Sequence, residues 1–105
     1  MDAQLKRGIV EVCVLRALKA EDSYGYKIIK DVSPHIEISE STLYPILKRL
    51  ESSGYVGTYK VEHNGRLRKY YSISDKGKMK IEEFLNEWDE VVKAYNYIKE
   101  ARVDE

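Results

Sequence analysis

The sequence predicts a mainly helical α+β fold made of four helices and one small β-hairpin. Three observations carry this prediction: apolar residues at helical spacing in three early segments, an alternating segment that turns at Asn64-Gly65, and a heptad pattern in the last quarter. The 105 residues are 43% hydrophobic, which is enough for one core but not for two. We therefore expect one compact unit, with a body over residues 1–75 and a C-terminal helical segment over residues 76–105.

The first predicted helix covers residues 4–20. Its apolar residues, from Leu5 and Ile9 to Leu18, lie on almost every side of the cylinder, so it should be buried nearly all round. In so small a protein, a second chain is expected to cover part of it. Cys13 lies inside this helix, where we expect an inert, buried thiol.

Two further helices follow. The second is predicted from Tyr24 to Val32, capped by Ser23 and ended by Pro34, with Gly25 either admitting another backbone or loosening the first turn. The third is predicted over residues 40–53, with Ser39 as its cap and Gly54 as its stop. Its apolar stripe consists of Leu43, Ile46, Leu47 and Leu50.

The remaining chain reads as a hairpin and a long helix. Residues 55–62 and 67–73 alternate like paired strands around Asn64-Gly65, and Gly57 is expected at a bulge. Ser74 should cap a helix that ends near Glu100, and residues 101–105 should fray. Apolar residues seven apart on this helix form a stripe that a second copy of the chain would cover. The residues expected in that dimer contact are Leu5, Ile9, Phe84, Leu85, Trp88, Val91, Val92 and Tyr95.

Composition disfavours several classes of protein. No apolar run is long enough for a membrane span and the N-terminus lacks a secretory pattern, so we expect a cytoplasmic protein with no membrane partner. Only Cys13, His35 and His63 could supply thiol or imidazole chemistry, and the paired carboxylates lie on the last helix without a catalytic partner. We therefore expect no catalytic residues, no metal and no cofactor.

The zero net charge hides an uneven distribution. Residues 58–80 contain seven Lys and Arg against two Asp and Glu, whereas residues 81–105 contain three against eight. A basic middle attracts polyanions such as nucleic acid, although charge alone is equally typical of a solvated surface.

The order of elements is that of a winged helix-turn-helix followed by a dimerisation helix. The third helix offers the hydroxyls of Ser41 and Thr42, the phenol of Tyr44, and the cations Lys48 and Arg49, which can bind phosphates and base edges. The hairpin adds Arg66, Arg68 and Lys69 near its tip. The alternatives are plain solvated surfaces, packing roles for the tyrosines, or a basic surface that docks an acidic protein.

Three segments resemble the PadR family of bacterial transcriptional regulators. They are YGYKII at 24–29, SESTLYPILKRLE at 39–51, and GRLRKYY at 65–71 followed by SDKG at 74–77. The similarity spans roughly residues 5–88. It implies a winged-helix DNA-binding domain over residues 1–75 and a homodimer. Such a homodimer is usually a repressor that responds to a small molecule, and we expect it to bind a pseudopalindromic operator.

The resemblance also implies roles for individual residues. DNA contacts are expected at Tyr24, Ser41, Thr42, Tyr44, Lys48, Arg66, Arg68 and Lys69. The single C-terminal helix is similar to that of the compact members, in which the last helix packs against the first helix of the partner. Trp88 matches a tryptophan that stacks on planar aromatic effectors in some of them, and the acidic Glu87, Asp89 and Glu90 would favour cations. Filling the dimer core is an equally good explanation of Trp88.

Overall fold

The computed structural model describes residues 1–103 and contains the predicted elements in the predicted order. They are α1 (Ala3–Ala20), α2 (Gly25–Val32), α3 (Glu40–Ser52), β1 (Val56–His63), β2 (Arg66–Ile73) and α4 (Asp75–Val103). The two strands form an antiparallel hairpin, and the helices pack around one apolar core. The prediction of a mainly helical α+β winged helix-turn-helix is confirmed.

α1 is buried along only part of its length. The carboxylate of Asp2 caps it by accepting a hydrogen bond from the backbone N–H of Leu5 at 3.0 Å. Val14 and Leu15 are fully buried, whereas the side chain of Leu5 is 45% exposed. No other element of the described chain covers the first turns of α1, so the expected burial on nearly all sides stays a prediction that depends on a second chain.

Ser23 does not cap α2, so that prediction is wrong. Its backbone forms an isolated antiparallel bridge with Tyr71: Ser23 N–H donates to the Tyr71 carbonyl at 3.1 Å, and Tyr71 N–H donates back at 2.7 Å. α2 begins one residue later than predicted, at Gly25, after Tyr24 in the cap position. The bridge adds a single residue to the hairpin sheet and so attaches the start of α2 to β2.

The buried stripe of α3 agrees with the prediction, and its ends are defined by backbone hydrogen bonds. Leu43, Ile46, Leu47 and Leu50 are each at most 3% exposed. The helix ends in a Schellman motif, in which Gly54 has a φ of +79° and Tyr55 N–H donates to the Leu50 carbonyl at 2.9 Å. Ser39 occupies the N-cap position, but its hydroxyl bonds to other hydroxyls rather than to the backbone.

The hairpin has the predicted two-residue turn. Asn64 and Gly65 both have positive φ, 51° and 78°, as a type I′ turn requires. The strands pair without interruption from Val56–Ile73 to His63–Arg66, so the bulge expected at Gly57 is absent from this hairpin. The reason is that Gly57 lies opposite Ser72 in ordinary register.

α4 starts on the body and then leaves it. Its cap is Ser74, whose hydroxyl accepts from Gly77 N–H at 3.1 Å and donates to the Gly54 carbonyl at 2.7 Å. Ile81 is buried in the core, whereas every side chain from Asp89 to Arg102 is exposed. The helix continues to Val103, so the predicted fraying is wrong for residues 101–103; positions 104 and 105 lie outside the described residues. None of the described helices is long and apolar enough to cross a membrane.

Candidate nucleic-acid interface

The exposed face of α3 is polar. Ser41, Thr42, Tyr44 and Lys48 all lie on it, opposite the buried leucine stripe. Ser39 Oγ lies 3.0 Å from Ser41 Oγ and 3.1 Å from Thr42 Oγ1, so the three hydroxyls satisfy one another at the start of the helix. Hydroxyls donate and accept hydrogen bonds, and they can therefore exchange these bonds for bonds to phosphate or to base edges.

Tyr44 lies against the first residue of α2. A methyl group on Gly25 would approach the Tyr44 hydroxyl oxygen to 2.7 Å, so only glycine leaves room for the ring in this position. The close approach expected at Gly25 is thus made by a side chain of α3 and not by a backbone. Tyr44 remains 50% exposed and lies one helical turn before Lys48, on the side of α3 that borders the wing.

Aromatic side chains pack against one another at the base of the wing, which is the hairpin formed by β1 and β2. The guanidinium of Arg68 lies over the ring of Tyr24, whose centroid is 5.5 Å from that of Tyr70; Tyr70 in turn stacks on Tyr59 at 5.6 Å. The Tyr59 hydroxyl donates to Asp22 at 2.8 Å, and this bond raises the pKa of Tyr59. Tyr24 therefore supports Arg68, and Tyr70 packs within the sheet as the packing alternative predicted.

Lys69 and Arg66 differ in their surroundings. Lys69 Nζ lies 3.5 Å from a carboxylate oxygen of Glu51 on α3, and 5.5 Å from the centroid of the Tyr71 ring. Arg66 is exposed at the tip of the wing, and no described carboxylate pairs with it. The wing therefore presents one cation tied to α3 and one that projects freely.

An open cleft of about 630 Å³ separates α2, α3 and the wing. Four of the residues expected to contact DNA line it, namely Tyr24, Tyr44, Arg68 and Lys69. Ser41, Thr42 and Lys48 extend the same surface along α3, and Arg66 lies beyond it at the wing tip. The structure thus brings most of the expected residues to one side of the molecule.

Arg49 is not a free cation, although the sequence placed it with Lys48. Its guanidinium forms an ion pair with Glu11 of α1, whose side chain is only 14% exposed. The pair attaches α3 to α1. Sequence reasoning missed Glu11 because no local pattern links the two positions.

A second groove lies between the open end of α1 and α4. Its volume is about 320 Å³, and its apolar walls include Leu5, Ile9, Phe84 and Trp88. The ring centroids of Phe84 and Trp88 are 5.8 Å apart. Three carboxylates line it, those of Glu11, Glu83 and Glu87; Asp89 and Glu90, expected there from the sequence, do not. Within residues 1–103, no three His, Cys, Asp or Glu side chains are grouped as a metal site.

The helix pair, the wing anchored at Tyr71 and the projecting last helix define a winged helix-turn-helix protein. Residues 14–83 match the model of the transcriptional regulator PadR-like family. The chain therefore belongs to the PadR-like family of transcriptional regulators.

Solved structures agree with this assignment. A Streptococcus mutans protein is 41% identical, with 91% of each chain covered and a TM-score of 0.79. A transcriptional regulator from Clostridium thermocellum is 33% identical, with 92% of this chain and 96% of that chain covered and a TM-score of 0.82. Bacillus subtilis PadR in complex with operator DNA shares the fold at 23% identity and a TM-score of 0.67, over 73% of this chain and 46% of that chain.

Proposed function

We propose that this protein is a homodimeric, sequence-specific DNA-binding repressor whose binding to a pseudopalindromic operator responds to a small molecule. α3 enters the major groove, where Ser41, Thr42, Tyr44 and Lys48 face base edges and phosphates. The wing places Arg66, Arg68 and Lys69 on the adjacent backbone or minor groove. The operator-bound Bacillus subtilis relative and the family of transcriptional regulators support the choice of DNA as the partner.

The composition of the exposed face of α3 carries this proposal. Every aliphatic side chain of the helix, from Leu43 to Leu50, is buried, and the exposed positions carry hydroxyls, charges, Tyr44 and Pro45. A surface that docks a protein is richer in exposed apolar and aromatic anchors. Hydroxyls and cations beside a basic wing favour a polyanion instead.

The proposed dimer rests on the apolar stripe of α4. Val91 and Val92 are 45% and 47% exposed and Tyr95 is 56% exposed, in the part of α4 that projects beyond the body. Leu5, Ile9, Phe84, Leu85 and Trp88 continue this surface onto the body. A second copy would bury the stripe and set two α3 helices at the spacing of successive major grooves, about 34 Å.

The proposed effector is a planar aromatic molecule bound against Trp88. The groove between α1 and α4 offers the tilted rings of Phe84 and Trp88 for stacking. Of its three carboxylates, Glu11 is already paired with Arg49. Glu83 and Glu87 outnumber Lys80, a cation on the same lining, and so favour a ligand that carries positive charge. Because α1 and α4 also form the proposed dimer contact, a ligand there would alter the spacing of the two α3 helices.

Selection of bound duplexes from a random pool tests the proposed DNA binding. We expect a recurrent inverted repeat, with an affinity that falls steeply as salt rises, because bound cations release counterions from DNA. Lys69→Ala should weaken binding to all duplexes alike, whereas Thr42→Val should change the selected sequence. Absence of duplex binding in both the selection and a salt titration would refute the proposal, and a nuclease-resistant protein complex would then favour the docking alternative.

The dimer and the effector have separate tests. The mass in solution should be that of two chains, and it should remain so on DNA. A panel of planar aromatic compounds should include some that quench the single tryptophan and alter duplex binding; Trp88→Ala should abolish their effect. A stable folded monomer would contradict the dimer, and unchanged Trp88 fluorescence with every compound would contradict the effector site.

A further inference from the structure

α1 and α3 enclose a groove on the side of α3 away from the wing. Its volume is about 430 Å³. Its lining includes Lys6, Arg7 and Val10 from α1, and Thr42, Ile46 and Arg49 from α3. Because Thr42 belongs to the face proposed to read DNA, this groove borders the site at which a duplex would lie.

The floor of the groove is rigid. Val10 and Ile46 are 1% and 3% exposed and belong to the core, so the floor cannot rearrange without unfolding the packing below it. The ion pair between Arg49 and Glu11 also fixes α3 to α1 at this point. The two walls therefore hold their separation, and the turn of α1 that carries Lys6 and Arg7 stays beside Thr42.

The rim of the groove has a surplus of positive charge. The charge of Arg49 is neutralised by Glu11, whereas Lys6 and Arg7 form no ion pair with any carboxylate in the described chain. Of the two acids nearest along the chain, Asp2 accepts a hydrogen bond from Leu5 as the cap of α1, and Glu11 is the partner of Arg49. Two cations are thus available for an anion from outside the chain.

We propose that Lys6 and Arg7 bind a phosphate of the DNA backbone that flanks the half-site contacted by α3. This proposal rests on the proposed function and adds a second backbone contact on the side of α3 opposite the wing. Backbone contacts on both sides of α3 would fix its position along the major groove of the DNA. The side chains of α3 would still discriminate between bases. Neither residue carries a sequence pattern that indicates this role.

The test uses the full chain and a duplex selected by the wild-type protein. Affinity is measured by fluorescence anisotropy at several salt concentrations for wild type, Lys6→Gln, Arg7→Gln and the double variant. Each neutralised contact should lower the slope of log affinity against log salt by about 0.9, with an unchanged preference among selected duplexes. Lys19→Gln is the matched control, because Lys19 is exposed on the same helix about 20 Å from Lys6; it should leave the slope unchanged.

A chemically modified duplex separates a phosphate contact from a structural effect. Replacing single flanking phosphates by neutral methylphosphonates should weaken the wild type at one position and leave the double variant unaffected there. Thermal unfolding of the glutamine variants should match the wild type, since Arg7 is exposed, Lys6 is only partly buried, and neither belongs to the apolar core. Any of three results would overturn the proposal. The double variant could show the same salt slope as the wild type, or Lys19→Gln could lower the slope as much as Lys6→Gln does. The wild type and the double variant could also be equally sensitive to every methylphosphonate. If the wild type selects no duplex at all, the proposed function falls and this contact falls with it.

Discussion

The guanidinium carbon of Arg68 lies 4.1 Å from the centroid of the Tyr24 ring. This contact joins the residue before α2 to the second strand of the wing, and the ring of Tyr24 is itself supported by Tyr70. A cation above an aromatic face is held by the ring quadrupole, so Arg68 is oriented before any DNA arrives. A DNA contact by Tyr24 stays a prediction, and this geometry adds a second candidate role, that of positioning Arg68.

Replacing Tyr24 should test this role. Tyr24→Leu removes the aromatic face, and we expect duplex affinity to fall about two- to fivefold, which corresponds to the ~0.5–1 kcal/mol of an exposed cation–π contact. Tyr24→Phe keeps the face and should bind nearly as the wild type does. A double-mutant cycle with Arg68→Ala measures the coupling. Equal losses in the Phe and Leu variants would instead show that the hydroxyl itself contacts DNA.

Gly25→Ala should change specificity rather than stability. The added methyl group would occupy the place of the Tyr44 hydroxyl, and this half-exposed ring can move away at little cost. We expect the free energy of unfolding to change by less than about 1 kcal/mol, because a methyl group on the buried Gly25 displaces only the end of an exposed ring and alanine is the better helix former. Repeating the duplex selection should show a weaker preference at the bases that Tyr44→Leu also affects. An unchanged preference in Gly25→Ala would show that the position of Tyr44 does not matter for recognition.

Arg49→Gln should lower stability through Glu11. The variant leaves a half-buried carboxylate without its cation, and we expect a loss of about 1–2 kcal/mol, discounted for the partial exposure of Arg49. The double variant Glu11→Gln, Arg49→Gln should recover much of this loss. Chemical denaturation measures the loss and its recovery. The protein concentration is held fixed, because the apparent stability of a dimer depends on it. If the double variant is as unstable as Arg49→Gln alone, the pair does not account for the effect.

Cys13 should react slowly at neutral pH. It is a free, partly buried thiol on α1, and burial raises its pKa because the thiolate is the charged form. At a given pH the folded protein then holds less thiolate than the unfolded chain. The stability contributed by this shift is present below the unfolded pKa and is lost as pH rises through the folded pKa. The alkylation rate of Cys13 should therefore rise at a higher pH in the native protein than in the protein unfolded in guanidinium. A rise at the same or a lower pH in the native protein would contradict the raised pKa.

Local signals in the sequence were sufficient for most of the fold. Three examples are the turn at Asn64-Gly65, the stop at Gly54 and the cap at Ser74. Each depends on residues that are close together in the sequence, so each can be predicted from the sequence alone. The same holds for the buried stripe of α3, which leaves its polar face to Ser41 and Thr42. Ser23 failed as a predicted cap because its partner, Tyr71, is distant in sequence.

By itself, the sequence determined the order of the elements, the buried stripe of α3 and the exposed stripe of α4, because periodicity and capping act over a few residues. Only the tertiary structure decided that Tyr24 supports Arg68 and that Glu11 neutralises Arg49. It also decided that Lys6 and Arg7 lie beside Thr42 and pair with no carboxylate among residues 1–103. These relationships join elements that are far apart in the chain. They depend on how the helices and the wing pack, and no local pattern encodes that packing.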